Sequence, residues 1–170
     1  YFQLKFTNYD EADDKRGVSK NYSRPNQERN YGTSLSFFRN FGNIKTTFQP
    51  RVEFKNTLSL SHSLSFESEG QVGVFKVDPK IEFYALADRG AGIFSRFNFS
   101  KQINETYSYA IINDANYEEK IHVFSVTNGV SLGQVVTETK YLNYSWLFNS
   151  VNRPKYNLNS YVLAVTWKEL

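Results

Sequence analysis

The feature that most constrains this chain is an alternation of apolar and polar residues with a period of two. Successive side chains on a β-strand point to opposite faces, so such a run makes a strand with two unlike faces. From Ile44 to Lys55, Ile44, Thr46, Phe48, Pro50, Val52 and Phe54 fall on one side; Lys45, Thr47, Gln49, Arg51, Glu53 and Lys55 fall on the other. Leu58, Leu60, His62, Leu64 and Phe66 then alternate with Ser59, Ser61, Ser63, Ser65 and Glu67. Phe75, Val77, Pro79, Ile81 and Phe83 are opposed by Lys76, Asp78, Lys80, Glu82 and Tyr84. Near the C-terminus Tyr161, Leu163, Val165 and Trp167 alternate with a less polar set, Ser160, Val162, Ala164 and Thr166. No stretch combines a 3.6-residue period with helix caps.

Turn residues punctuate these runs. Gly42-Asn43 and Asn128-Gly129 are two-residue hairpin candidates, because both residue types tolerate positive φ. Glu67 to Gln71, Asp88 to Gly92 and Gln102 to Glu105 are short polar breaks; Asn113 to Lys120 and Ser150 to Asn157 are longer. The longest break, Asp10 to Asn30, is highly charged and contains Pro25. Strands are therefore expected over 4–9, 31–41, 44–54, 57–66, 72–87, 93–101, 106–112, 121–127, 130–149 and 158–168. That is an antiparallel meander of about ten strands, with eight or twelve as alternatives. Tight connections fall at one end (42–43, 67–71, 102–105, 128–129) and the three longest at the other. Pro50 and Pro79 cannot donate to a ladder and are expected at edges, bulges or strand ends.

Composition narrows the classes. The 170 residues suffice for one domain spanning 1–170, with 10–30 as a surface loop. Tyr1-Phe2-Gln3 match the end of an engineered protease site and are set aside as a tag remnant. Cys is absent, which excludes disulfides, zinc–thiolate sites and a cysteine nucleophile. A net charge of +3 is too small for a nucleic-acid footprint. No run approaches the ~18 apolar residues of a spanning helix. Yet aromatics make up 17% of a chain whose mean hydropathy is −0.53, so apolar residues must be interleaved with polar ones.

Alternation alone does not say which face meets water. A soluble barrel points its apolar face inward, whereas an outer-membrane barrel points it at lipid. Three features favour the second arrangement. The polar face mixes opposite charges that can pair across an interior: Arg51, Glu53, Lys76, Asp78, Lys80, Glu82 and Arg96. Tyr and Trp, which prefer the headgroup level, lie near strand ends, among them Tyr107, Tyr109, Tyr144, Trp146, Tyr161 and Trp167. The strands are long and hairpin-linked with no covering helix, and closure removes exposed edges.

With these alternating runs, the short and long connections, and the final strand Asn159 to Leu170, the chain resembles the small bacterial outer-membrane β-barrel proteins. The resemblance is architectural and covers nearly the whole chain. It implies an all-β, antiparallel up-and-down transmembrane β-barrel in the bacterial outer membrane. It also implies outer-membrane lipids as partner and a lumen that is either porin-like or filled.

No catalytic constellation is expected, and no cofactor or metal. His62 sits beside Leu60 and Leu64 on the apolar face, away from Ser61 and Ser63. His122 alternates with Ile121 and Val123 and is expected to face the interior, without Ser or Asp at a supporting offset. The acidic cluster Asp10, Glu11, Asp13, Asp14 lacks the spacing of a calcium loop and is followed by basic residues that neutralise it. Three functions remain: a structural or surface-interaction barrel with a side-chain-filled lumen, a narrow channel for small solutes, and a soluble lipid- or ligand-binding barrel. The last would place Phe48, Phe54, Leu60, Leu64, Phe75 and Phe83 around a cavity.

Overall fold

The computed structural model describes residues 2–9, 30–54, 58–86, 90–153 and 155–169. They form one antiparallel sheet: β1 (Phe2–Tyr9), β2 (Asn30–Phe41), β3 (Ile44–Phe54), β4 (Leu58–Ser68), β5 (Gly70–Val72), β6 (Phe75–Leu86), β7 (Gly90–Gln102), β8 (Tyr107–Glu118), β9 (Val123–Thr137), β10 (Lys140–Val151) and β11 (Asn157–Glu169). Each strand pairs with its neighbours in sequence, with β5 pairing only β6. The short β5 continues β4 in the same register after a break at the residues facing Asp78 and Pro79. The meander therefore has ten up-and-down strands, one of them interrupted.

Proline explains that break. Having no N–H, Pro79 cannot bond toward β4, yet it stays in register with Phe97 on β7. Pro50 behaves alike. The β2–β3 ladder lapses between the Ser34–Arg51 and Phe37–Phe48 pairs, while Pro50 remains opposite His62 on β4. Each proline thus sits inside a strand, silencing one side of it without shifting register.

The expected strand count holds, but three connections move, the break at Glu67 to Gln71 giving way to a turn at 73–74. Asn128-Gly129 is not a hairpin; it lies within β9, and the turn falls at 138–139. Asn113 to Glu118 is not a loop but the second half of β8. Its polar residues Asp114, Asn116 and Glu118 alternate with Ala115 and Tyr117, so they are one face of a strand rather than a break. With these corrections the tight connections are 42–43, 73–74, 103–106 and 138–139, all at the same end. At 103–106, the Asn104 side-chain oxygen accepts from the N–H groups of Thr106 and Tyr107 at 2.9 and 2.8 Å. The expected loop 10–30 lies outside the described residues except Asn30, which opens β2. Phe2 and Gln3, set aside as tag, are paired with Phe37 and Ser36.

The sheet is not closed into a barrel. Among the described residues no ladder joins β1 to β11, which leaves each with one free edge. Two register shifts, at Lys140/Tyr141 and Asn149/Ser150, kink the β9–β11 end of the sheet.

Candidate functional site

Burial divides the two faces in the opposite sense to a water-soluble sheet. On β4, Leu60 is 67% exposed while its neighbour Ser61 is 3% exposed. Ser34, Ser36, Ser65, Glu118, Thr127 and Asn149 are also buried. Among the described residues only Val77, Tyr84, Phe94 and Leu147 are buried hydrophobics, against 31 large hydrophobics that are exposed. A soluble fold of this size would bury its apolar side chains. Phe48, Phe54, Leu60 and Phe83, expected to line a cavity in a soluble barrel, all lie on the exposed face.

The shielded face is threaded by hydrogen bonds running across strands. Thr127 donates to the side-chain oxygen of Asn149 at 2.7 Å, whose amide donates to Ser160 at 3.2 Å. Gln49 donates to Ser34 at 3.2 Å. Tyr84 donates to the Asn116 oxygen at 2.7 Å, and the Asn116 amide donates to Glu118 at 3.3 Å. Buried polar groups need such partners, because an unpaired one costs about 1–3 kcal/mol.

Register places the expected charge set on this face. Lys80 contacts Glu67 at 3.0 Å and Glu82 at 3.2 Å. Arg96 lies directly opposite Lys80, a like-charge pairing, and turns instead to Asp114 on β8 at 3.2 Å. Lys76 reaches out to Glu69 at 2.9 Å, and that hydrogen bond holds the Glu69 carboxyl below the usual carboxylate range. Arg51 is half-buried between Ser34 and Ser61 in register, bordering a small cavity with Gln49, Ser63 and Glu82. Asp78 is exposed opposite Asn98. Glu53 pairs with Gly32 and Ser59 by register, and its side chain lies outside the described set. Their contacts include a Glu67–Lys80–Glu82 cluster, an Arg96–Asp114 pair and an outlying Lys76–Glu69 pair, with Arg51 beside Glu82 at the small cavity. A cavity of about 450 Å³ opens among the first group at the tight-turn end, lined by Lys45, Glu67, Asp78, Lys80 and Arg96.

Sequence reading leaves Glu67 and Asp114 out of the charge set, Glu67 because it closes a strand's polar face at a break and Asp114 because it falls inside one. The available signal was the alternation of Asp114, Asn116 and Glu118 with smaller or aromatic residues. It also missed three glycines on the shielded face. A Cβ at Gly92 would lie 2.3 Å from the Tyr84 ring, and one at Gly129 2.6 Å from Leu147. At Gly133 the space belongs to the Tyr141 hydroxyl. Each glycine lets a large neighbour lie flat across its strand.

The expected interfacial aromatics occupy the exposed face at different heights. Tyr107 and Trp167 share one row near the tight-turn end, in register through Gln134 and Leu142. Gln134 joins Tyr107 to Tyr144, donating to the first at 3.4 Å and accepting from the second at 3.5 Å. Tyr109 meets Phe75 edge-on at 5.9 Å, and Phe75 meets Phe99 likewise at 6.4 Å. Val77, the buried exception on this face, is in register with Phe99. Tyr161 lies toward the other end, opposite Phe148. Trp146 is in mid-strand, its ring 4.9 Å from Phe148, and so does not join either row.

His62 is exposed on the apolar face. His122 does not face the interior. It is in the β8–β9 turn with φ 49°, exposed, its Nδ1 3.4 Å from the Tyr117 hydroxyl. Positive φ ends a strand, which is why alternation with Ile121 and Val123 misled. Among the described residues, neither histidine ring is hydrogen-bonded to a serine or a carboxylate. The cluster Asp10 to Asp14 lies outside the described residues; among those described, no three His, Asp or Glu gather as metal ligands. Among the described residues no helix is long and apolar enough to cross a membrane, which says nothing of crossing by strands. In comparisons with known proteins, no family model matches the chain, and no curated protein or solved structure matches it.

Proposed function

We propose that this chain is an integral, non-enzymatic β-barrel of the bacterial outer membrane, with a structural or surface-interaction role and a lumen filled by side chains. The inverted burial carries the reading: serines, Thr127, Asn149 and Glu118 are withdrawn from solvent while Leu60, Leu163 and Val165 are presented to it. Acyl chains solvate such a face at no cost, whereas water does not. Ten strands alternate in direction, so β1 and β11 run antiparallel and can pair without a crossover. Tight turns at one end match the short-turn side of membrane barrels. Purified protein is expected to stay monodisperse only with detergent or lipid; a stable, monodisperse, detergent-free form sinks the reading.

Spanning a bilayer requires that both free edges be paired. Residues of β1 with odd numbers align with even-numbered β2 positions such as Ser34, and even-numbered β11 positions align with Asn149. Closure that keeps faces matched therefore pairs odd positions of β1 with even positions of β11. In a chain without cysteine, Thr7→Cys combined with single cysteines along 162–166 is expected to cross-link within one chain at an even position. Cross-links only between chains would mean that the edges serve a dimer instead.

The narrow-channel reading rests on a different observation, the charged cavity at the tight-turn end. Its residues would then set ion selectivity.

A further inference from the structure

The ion pairs and the dry layer of the shielded face are not the same residues. Lys80, Glu67, Glu82, Arg96 and Asp114 keep side-chain exposures between 13% and 38%, so water reaches them. Phe94 and Tyr84 keep 3% and 4%. These two lie next along the same face. Phe94 precedes Arg96 on β7 by one position of that face, directly opposite Glu82, and Tyr84 lies two steps beyond Lys80 on β6. The cavity reaches Lys80 and Arg96 but neither aromatic residue. Tyr84 lies over Gly92, where any side chain would collide with its ring, and its hydroxyl is tied to Asn116. The Arg96 guanidinium sits 5.5 Å from the Phe94 ring, capping it from the wet side.

We infer that the barrier to solutes is this apolar pair, Phe94 and Tyr84, and that the charged cluster lines a water-filled vestibule at the tight-turn end. The inference rests on the membrane-barrel reading. An apolar constriction blocks ions by shedding water, and it does so without any ion pair. The charges then keep the vestibule wet and attract small ions of both signs, which stop at Phe94.

The absence of cysteine makes the test clean. Single variants Lys80→Cys, Phe94→Cys and Leu60→Cys are folded into lipid vesicles and exposed to a membrane-impermeant maleimide. Lys80→Cys is expected to react at least about 100-fold faster than Phe94→Cys, since a thiol must be wet to ionise and be attacked. Equal rates at the two positions overturn the inference. Leu60→Cys tests the underlying reading alone: it should not react in vesicles, and rapid labelling there refutes the membrane assignment itself. In planar bilayers, Phe94→Ala is expected to raise conductance at least about tenfold, and Lys80→Ala with Glu82→Ala by much less. The reverse order would place the barrier at the ion pairs and overturn the inference. Should Phe94→Ala fail to fold, Phe94→Ser and the labelling rates decide it on the same terms.

Discussion

Leu60→Arg and Phe83→Arg are each expected to lower folding stability in lipid by roughly 2–4 kcal/mol where they sit near the bilayer midplane. Both side chains are exposed, at 67% and 44%, and both strands continue on either side of them. Leu60 aligns with Val52, and Phe83 with Leu64 and Ile93, so each has apolar partners across the exposed face. In water an exposed leucine replaced by arginine costs almost nothing. A large loss measured by denaturant titration in vesicles therefore reports lipid around that face. Ser61→Ala is the control: it removes a hydroxyl from the shielded face without adding charge or bulk, and is expected to cost no more than about 1–2 kcal/mol. A Leu60→Arg variant as stable as the parent, with Ser61→Ala the more damaging, would mean that the faces are assigned the wrong way round.

Much of the fold was legible because alternation is a direct readout of strand faces. From β3 to β6 the polar list aligns with itself across the ladders at Lys45–Glu67, Thr47–Ser65, Arg51–Ser61, Ser65–Glu82 and Glu67–Lys80. The reading failed where polarity was taken to mean a break. Asp114, Asn116 and Glu118 look like loop residues only if water is assumed outside the strand; on a shielded polar face they are its ordinary occupants, and Glu118 is buried. His122 failed for a separate reason. Its positive φ is a backbone property that its neighbours Ile121 and Val123 conceal. Grouping of the charges was not legible either. Same-face membership follows from parity, but whether Arg96 chooses Glu82 or Asp114 depends on which strand lies alongside, and that required the true extent of β8. The prolines were expected at edges, bulges or strand ends, yet each sits inside a strand. What could not be anticipated is that each silences one ladder and leaves the other in register.

Gly129 offers the sharpest remaining contrast, because the two readings of it disagree about asparagine. As a hairpin glycine beside Asn128 it would need positive φ, and Gly129→Asn would be mild, since asparagine tolerates that conformation. Gly42 is such a position: φ is 59°, and a Cβ there meets nothing within 4 Å. Gly129 does not share that backbone, its φ not being among the positive ones, and it lies opposite Leu147 inside the sheet. A Cβ at Gly129 would come within 2.5 Å of the Trp146 carbonyl oxygen and 3.1 Å of the Leu147 Cα. Those are backbone atoms, which cannot turn aside as a side-chain tip can. Gly129→Ala is accordingly expected to destabilise by about 1–3 kcal/mol, and Gly129→Asn by more, because overpacking must be relieved by moving strands apart. Gly42→Asn is expected to change stability by less than about 1 kcal/mol. The loss at Gly129 should also loosen Leu147, so that a cysteine probe at Leu147 becomes reactive in the Gly129→Ala background while remaining protected in the parent. Equal tolerance of asparagine at Gly42 and Gly129, read from denaturant midpoints in the same lipid, would return Gly129 to a turn and withdraw it from the packing of the shielded face.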